Sequence, residues 1–373
     1  MCFIRRVTLL AAFWIFFSPI VLAAADDSIQ IASIFSYTGT ASVTNYSSIQ
    51  AVRWAVSAIN EKGGINGRRL QLLELDNTST PIGSKLAAEK AVAANVTAII
   101  GPAYSSHCIA AARVAQQNGI PLITNIATDP DVTRVGDYIF RVCFSDIFQS
   151  RLLARFAHQE LRAGTAIILV NATSDYSLDL AKEFRIHFEQ MGGRLSEDLY
   201  YKDRQDSFDG LVQGVQKSNP ALIFIPGYLE SALIAKKLSE AGVTTTLLGG
   251  DGWDIDGFKR LGGDAIRLGY FTTHWVKEMQ NKQSLEFVNH YGAMQTLTSS
   301  SALAYDAVML TADAIRRAGT AERRAVRRAL ADTTGYEGIT GKITLDTAGD
   351  PIKPAVIIKI SNGQYTYLRQ VEP

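Results

Sequence analysis

The chain has 373 residues, with 37 lysines and arginines against 36 aspartates and glutamates, so its formal net charge is +1. This near-neutral balance gives no reason to expect nucleic acid or a membrane surface as a partner. Single hydrophobic cores stop growing at about 250 to 300 residues, so a chain of this length is expected to divide into two domains.

The first 25 residues have the pattern of a secretory signal peptide. Arg5 and Arg6 precede an apolar run over residues 7–22, three alanines follow the run, and this order is typical of such a signal. A membrane anchor is the alternative interpretation, although the run is shorter than the about 20 residues that a spanning helix needs. We therefore expect a soluble exported protein, cleaved near Ala25.

Strand and helix signals alternate from residue 29 to about residue 270. The helical stretch 47–60 is the clearest, because Ile49, Val52 and Val56 recur on one face. Such alternation predicts an α/β protein with mainly parallel sheets. The strand candidates are residues 29–35, 70–75, 98–100, 122–124, 138–142, 166–170, 222–225, 246–248 and 269–272.

The C-terminal part of the chain has a different pattern. Helical runs over residues 302–318 and 322–331 precede an extended pair near residues 341–345 and 355–360. The sequence contains no internal repeat and no low-complexity linker, so no flexible spacer joins the two domains. We expect a chain that crosses between two lobes at the ends of helices and strands.

The residue patterns argue against an enzyme. The five histidines are scattered, and no HExxH, CxxC, GxSxG or GxxxxGK[ST] motif occurs. His107 adjoins Ser105 and Ser106, but neighbouring helical residues point about 100° apart, so it is a poor base for either serine. We predict no catalytic site, no bound metal and no cofactor.

Residues 97–130 form the most informative segment. An apolar strand and a Gly-Pro turn lead to a helix that opens on Ser105 and Ser106, and a second strand leads to Thr128. The first N–H groups of a helix are unpaired and carry the positive end of its dipole, so they favour small anions such as a carboxylate. In open parallel sheets, ligands bind at the carboxyl ends of strands, where both motifs lie.

Other strand ends carry aromatic or acidic residues. Tyr176 and Tyr228 follow two strands, and Asp251 stands between glycines beside Trp253. Pockets for small molecules combine apolar and aromatic walls with a few polar groups. Together with the anion donors of the previous segment, the Asp251 carboxylate would suit a zwitterion, and an amino acid is the obvious one.

Each candidate residue also has a structural interpretation, which the sequence leaves open. A serine at a helix start often only caps the helix, with an effect of about 1 kcal/mol. A threonine before Asp-Pro can shape the turn, the tyrosines can be ordinary half-buried residues, the aspartate a turn residue and the tryptophan a packing residue. In an exported protein, Cys108 and Cys143 can form a disulfide, and buried free thiols explain them equally well.

Five sequence landmarks carry a resemblance to a known family. They are AINEKGGINGRRLQLLELD at residues 58–76, IIGPAYSS at 99–106, GIPLITNIATDP at 119–130, YIFRVCFSDIFQ at 138–149 and LLGGDGWD at 247–254. In this order and spacing they resemble the periplasmic Leu/Ile/Val-binding protein family, the substrate-binding components of branched-chain amino acid ABC transporters. The resemblance covers the chain from residue 29 to about residue 363.

The resemblance implies a type I periplasmic binding fold, in which two Rossmann-like lobes with mainly parallel sheets are joined by a three-crossover hinge. The lobes of such proteins close on a ligand by a hinge motion. The implied divisions are a signal peptide at residues 1–25, an N-terminal lobe at 26–145 and 275–349, and a C-terminal lobe at 146–274 and 350–373.

The resemblance also implies roles for residues of the site. Family members hold the ligand carboxylate at the positions of Ser105 and Thr128. They hold the ammonium group with the Thr128 hydroxyl, the Ile126 carbonyl and an acidic residue at the position of Asp251. The expected ligand-binding residues are Tyr104, Ser105, Ser106, Ile126, Ala127, Thr128, Tyr176, Tyr228, Asp251 and Trp253.

Five positions of the site bear on which ligand fits. Tyr176 and Tyr228 match aromatic positions of the second lobe that cover the ligand in family members. Tyr104 stands where the best-known members have a disulfide cysteine, and Asp251 replaces their longer glutamate. The bulk of Tyr104 and Trp253 could shrink the pocket or favour a flat or aromatic ligand side chain.

The function implied by the resemblance is capture of an amino acid, branched-chain or related and including aromatic ones, by a monomeric periplasmic protein. The closed form would deliver this ligand to an ABC permease in the inner membrane. One alternative is an exported ligand-sensing module of the same fold that reports an amino acid, an amide or a small aromatic acid to a partner protein. An exported enzyme is the other alternative.

Overall fold

The computed structural model describes residues 28–202, 207–279, 281–293 and 297–373, and the predicted signal peptide lies outside these ranges. The strands are Ile29–Phe35 (β1), Leu70–Asp76 (β2), Ile99–Ile100 (β3), Leu122–Thr124 (β4), Ile139–Arg141 (β5), Thr165–Asn171 (β6), Arg194–Leu195 (β7), Leu199–Tyr201 (β8), Leu222–Ile225 (β9), Thr246–Gly249 (β10), Leu268–Thr273 (β11), Tyr336–Gly338 (β12), Gly341–Ile343 (β13), Ala355–Ser361 (β14) and Gln364–Val371 (β15). The α-helices are Ser42–Glu61 (α1), Pro81–Ala93 (α2), Ser105–Gln117 (α3), Asp131–Arg134 (α4), Asp146–Arg155 (α5), Asp175–Gln190 (α6), Asp209–Ser218 (α7), Leu229–Glu240 (α8), Phe258–Leu261 (α9), Lys282–Tyr291 (α10), Ser299–Ala318 (α11) and Arg323–Ala331 (α12).

Two large sheets organise these elements. The first has the order β2-β1-β3-β4-β5, and all its strands are parallel. The second has the order β15-β14-β11-β10-β9-β6-β7, with β8 also paired to β6, and only β14 and β15 are antiparallel to their neighbours. The prediction of an α/β protein with mainly parallel sheets is confirmed.

Strand β1 shows why the first sheet is apolar on both faces. Ile31 and Phe35 pack in a core with α1 and α11, whereas Ala32 and Ile34 face a second core with α2 and α3. Successive side chains of a strand point to opposite faces, so a parallel sheet covered by helices on both sides needs apolar residues throughout. This requirement explains why β1 was readable from the sequence as a mainly apolar run.

The chain passes between the two sheets three times: after β5, after β11 and between β13 and β14. The lobe boundaries predicted from the resemblance fall in these three crossing segments, and we retain them as a proposal. The two extended stretches expected near residues 341–345 and 355–360 are confirmed as β13 and β14, but they lie in different sheets, because β13 pairs with β12 while β14 pairs with β11 and β15. The partners of a strand are set by tertiary structure, which local sequence patterns do not report.

The two described cysteines are free, buried thiols, so the possible disulfide is wrong and the thiol interpretation holds. Cys108 packs in the core between the first sheet and α2 and α3. Cys143 packs in the core on the opposite face of that sheet, beside α1 and α11, so the sheet separates the two sulfur atoms. Burial raises the pKa of Cys108 to about 12, which keeps its thiol protonated.

Arg141 connects the loop after β4 to the third crossing segment. Its guanidinium is fully buried and donates to Asp350 Oδ1 at 2.6 Å. It also donates to the carbonyl oxygens of Ala127 and Asp129, both at 2.9 Å, and to the Thr133 hydroxyl at 3.0 Å. Arg141 therefore fixes the backbone on both sides of position 128.

Lys353 connects the first and third crossing segments. Its buried ammonium group donates to the carbonyl oxygen of Val142 at 3.1 Å and to the Thr340 hydroxyl. Burial lowers the pKa of Lys353 to about 8, and the nearby Asp306 carboxylate opposes this shift. The charged form of Lys353 is thus less favourable in the folded protein than in the unfolded chain.

We expect Arg141→Leu to lower the free energy of unfolding by about 3 kcal/mol, because it leaves Asp350 and two carbonyl oxygens without their donor. Urea unfolding measures the loss. Arg53→Leu is the matched control: Arg53 pairs with Glu74 on the surface, where their side chains are 45% and 34% exposed. Exposed pairs contribute up to about 1 kcal/mol, so equal losses in both variants would contradict the role given to Arg141.

We expect the contribution of Lys353 to the free energy of unfolding to rise by up to about 3 kcal/mol between pH 8 and pH 10.5. Between its folded and unfolded pKa values the unfolded chain binds more protons, so stability increases with pH in this window. Unfolding of the wild type and Lys353→Met at several pH values isolates the contribution, because other ionising groups affect both proteins. Exposed Lys342→Met should keep the wild-type slope, and a wild-type slope in Lys353→Met would contradict the assignment.

Candidate functional site

The first half of the site is the start of α3. After β3 the chain turns at Gly101, whose φ is +87° and where a Cβ atom would lie 2.5 Å from the carbonyl oxygen of Ile34. A glycine is therefore required at this turn. Tyr104 is the N-cap of α3 and has extended backbone, and no side chain of the described residues caps the helix with a hydrogen bond. Ser105 and Ser106 are thus the first helical residues, and capping does not explain them.

Ser105 and Thr128 lie where the two loops of the segment meet. Ser105 is buried, and its hydroxyl accepts the backbone N–H of Asp129 at 3.4 Å. Thr128 is buried, and its hydroxyl has no hydrogen-bond partner among the described residues. The turn after Thr128 is shaped by Asp129, whose carboxylate accepts the N–H of Asp131 at 2.8 Å. The Thr128 hydroxyl is therefore not explained by the turn.

The neighbouring residues hold these loops in place. Thr124 donates to the carbonyl oxygen of Pro102 at 2.6 Å and accepts the N–H of Ala127 at 3.2 Å, which joins the loop after β4 to the loop after β3. Ala127 is buried, and its carbonyl oxygen accepts a hydrogen bond from the Arg141 guanidinium at 2.9 Å. Ile126 is half-buried beside it.

Asp251 forms the second half of the site, in a short 3-10 turn after β10. Its Oδ1 accepts the Tyr176 hydroxyl at 3.0 Å and the Gln149 amide nitrogen at 2.9 Å. Its Oδ2 lies 3.1 Å from Nε2 of His274. The flanking glycines leave room for this packing, since a Cβ atom at Gly250 would lie 2.4 Å from the Tyr176 hydroxyl.

Three residues of this cluster were not among the sequence candidates: Asp146, Gln149 and His274. One amide nitrogen of Gln149 donates to Asp146 Oδ1 at 2.8 Å as well as to Asp251. Burial lowers the pKa of His274, so its ring is favoured in the neutral form. All three follow strands β5 and β11, and the strand-end rule that selected Asp251 could have found them.

The three candidate tyrosines form one column of rings. Tyr104 stacks on Tyr228 with centroids 4.3 Å apart and planes 6° apart, and Tyr228 stacks on Tyr176 at 4.8 Å. Tyr104 follows a strand of the first sheet, whereas Tyr176 and Tyr228 follow strands of the second. The hydroxyl of Tyr176 accepts the N–H of Gly252 at 3.1 Å, so this buried ring also fixes the turn that carries Asp251.

Trp253 does not join the other candidates. Its side chain is buried in a core of the second sheet, stacks on Phe258 with centroids 5.1 Å apart and donates to the carbonyl oxygen of Ile225 at 3.1 Å. The packing interpretation accounts for all of these contacts. We therefore assign Trp253 no ligand contact.

The site has an acidic half without a metal-binding geometry. Burial raises the pKa of Asp146 well above its ordinary value, and the nearby Asp251 carboxylate adds to this shift. In the ranges that the structure describes, no group of His, Cys, Asp or Glu side chains is arranged to hold a metal ion.

None of the helices in the described ranges is long and apolar enough to cross a membrane.

Comparison with curated proteins identifies amino-acid-binding relatives. The Leu/Ile/Val-binding protein BraC3 of Rhizobium johnstonii is 28% identical over 339 residues, 90% of each chain. The leucine-, isoleucine-, valine-, threonine- and alanine-binding protein of Pseudomonas aeruginosa is 27% identical and covers 87% of this chain and 88% of its own. These relatives are solute-binding proteins, and the prediction that the chain is not an enzyme is confirmed.

Solved structures share the fold. The leucine-binding protein LivK of Thermotoga maritima is 31% identical, with a TM-score of 0.88 over 92% of this chain and 99% of its own. A solute-binding protein of R. palustris in complex with benzoate has a TM-score of 0.84 over 93% and 97% of the two chains, but its 18% identity shows the fold alone. The periplasmic binding protein family model matches residues 28–364. The chain therefore belongs to the periplasmic binding protein family and has its type I fold.

Proposed function

We propose that the protein is the extracytoplasmic solute-binding component of an ABC importer. It captures an amino acid between its two lobes and delivers it to a permease in the inner membrane. One observation carries the proposal: the start of α3 and the Thr128 hydroxyl, neither of which has a side-chain partner among the described residues, follow strands of one sheet, and they lie near a buried acidic cluster that includes Asp251 of the other. Family membership supports export to the periplasm.

The first half suits a carboxylate. Helix α3 has 13 residues, and the positive end of its dipole lies at Ser105, where no described side chain caps the helix. Its first N–H groups are therefore available to a ligand acceptor. A ligand oxygen there would also reach the hydroxyls of Ser105 and Thr128. Burying an unpartnered hydroxyl costs about 1 to 3 kcal/mol, which a ligand that accepts from Thr128 recovers.

The second half suits a cation. Asp146 and Asp251 are buried, and the amide and the neutral imidazole that contact them carry no positive charge. A ligand that presents a carboxylate to one half and an ammonium group to the other satisfies both. An α-amino acid is the smallest common compound with both groups.

The tyrosine column bears on the rest of the ligand. Tyr104 belongs to one lobe and Tyr228 to the other, so their stacking favours a closed arrangement of the lobes. A ligand drives closure only by as much as it prefers the closed state, and contacts on both lobes provide that preference. The apolar side chain of the ligand would lie against these rings.

We expect a branched-chain amino acid to raise the melting temperature by several degrees, because a ligand at about 100 times its Kd adds about 2.7 kcal/mol to folding stability. A thermal-shift screen with leucine, isoleucine, valine, phenylalanine and benzoate measures this. A shift with phenylalanine alone would assign the tyrosine column to an aromatic side chain. No shift with any amino acid, or a shift with benzoate alone, would contradict the proposal.

We expect Thr128→Val to weaken amino acid binding by about tenfold or more while leaving the free energy of unfolding unchanged or higher, because the lost hydroxyl has no described protein partner. Thr124→Val is the matched control on the same strand end. Its hydroxyl bonds Pro102 and Ala127, so this variant should lose about 1 to 3 kcal/mol of stability. Calorimetric titration and urea unfolding of both variants measure the two effects. Normal binding by Thr128→Val would remove that residue from the site.

A further inference from the structure

We propose that Asp146, rather than Asp251, accepts the ammonium group of the ligand, and that Asp251 is a positioning residue that holds Gln149 and Tyr176. The inference rests on the proposed function and deepens it, because it names the acceptor and requires a ligand with an amino group. It follows from how the two carboxylates are bonded.

Asp251 is occupied by protein donors. Its Oδ1 accepts two hydrogen bonds, from Tyr176 and Gln149, and its Oδ2 faces His274 at 3.1 Å. Its own backbone N–H donates to the side-chain amide oxygen Oε1 of Gln149 at 2.7 Å. All of these side chains are buried, so turning the carboxylate towards a ligand would break several bonds that water could not replace.

One carboxyl oxygen of Asp146 accepts no hydrogen bond from the described residues. The residue is fully buried, and among the described residues its Oδ1 accepts only the bridging amide of Gln149, at 2.8 Å. Its Oδ2 has no hydrogen-bond partner in the described part of the chain. Because native proteins pair nearly all buried polar atoms, such an oxygen requires an explanation.

Asp146 also lies next to the first half of the site. Its backbone N–H donates to the carbonyl oxygen of Thr128 at 2.9 Å, across the first crossing between the sheets. The Thr128 hydroxyl, likewise buried, lies close enough to the Asp146 carboxyl to favour its ionised form, yet neither this hydroxyl nor Asp146 Oδ2 makes a hydrogen bond of normal geometry with a described residue. An ammonium group has three N–H donors, so one ligand nitrogen could satisfy both atoms.

The charges around Asp146 are mostly negative. The carboxylates of Asp251, Asp179 and Asp129 all disfavour its ionisation, in addition to burial, whereas the Thr128 hydroxyl acts in the opposite direction. The other titratable groups that interact with Asp146 or share its cluster are Arg141, Tyr176, Tyr228 and His274. The free carboxyl therefore retains a proton to a higher pH than an ordinary aspartate.

Ligand binding should release this proton. An ammonium group beside Asp146 favours the carboxylate and lowers its pKa in the complex. Between the pKa values of the complex and the free protein, Asp146 is protonated before binding and ionised after it. One proton then leaves to solvent for each ligand bound, and affinity increases with pH until the pKa of the free protein is passed.

Leucine and 4-methylpentanoate, which is leucine without its amino group, separate the two carboxylates by calorimetric titration. We expect the wild type to prefer leucine, and Asp146→Asn to lose at least about thirtyfold of that preference. Asp251→Asn should weaken both ligands by a similar factor and keep the preference, because it loosens Tyr176 and Gln149. The reverse pattern would overturn the assignment. Binding of 4-methylpentanoate by each variant verifies that its site is folded.

The wild type provides a second measurement that does not depend on a variant. Titrations with leucine in buffers of different ionisation enthalpy count the protons released, and we expect up to one per site in acidic solution and none at high pH. Asp179→Asn is the control, since burial raises the pKa of Asp179 to about 6, and this variant should still release the Asp146 proton. Leucine binding without proton release at any pH would contradict the inference. Absence of binding by leucine and by every other amino acid would instead contradict the proposed function.

Discussion

A bridged pair of buried carboxylates is the interaction on which the site depends. One amide group of Gln149 donates to both Asp146 and Asp251, at 2.8 and 2.9 Å. An amide can hold two carboxylates in place, but it carries no charge to offset theirs. The Tyr176 hydroxyl and the neutral His274 ring do not supply it either. We propose that a cationic group of the ligand supplies this charge.

The fold places a group that favours an anion opposite this acidic cluster. Parallel strands of each sheet end at a common edge, and the three crossings bring the ends of β3, β4 and β5 near the loops that follow β10 and β11. The uncapped start of α3 favours an anion, and Asp146 favours a cation. Arg141 and Lys353 hold the crossing segments beside the site. The same buried groups therefore contribute to the stability of the crossings and to the geometry of the site.

The sequence was most informative where one local rule determines the structure. Both-face burial made the parallel strands continuous apolar runs, so β1 was predicted with its observed bounds. Strand ends identified Ser105, Thr128 and Asp251, which the structure brings into one region. Pairing partners were not predictable, since β15 is a largely exposed edge strand. For Trp253 the sequence left a ligand wall and a packing residue equally open, and its contacts in the core favour packing. Asp146 was missed because a carboxylate at the start of a helix is ordinary until its free oxygen is seen.

A crystal structure of the protein with leucine would show which groups hold the two charges of an amino acid. We expect a closed molecule in which the leucine carboxylate contacts the start of α3 and the Thr128 hydroxyl, and the leucine nitrogen lies between Thr128 and Asp146. Leucine bound outside the region between the lobes, or with its nitrogen away from both buried carboxylates, would contradict this expectation.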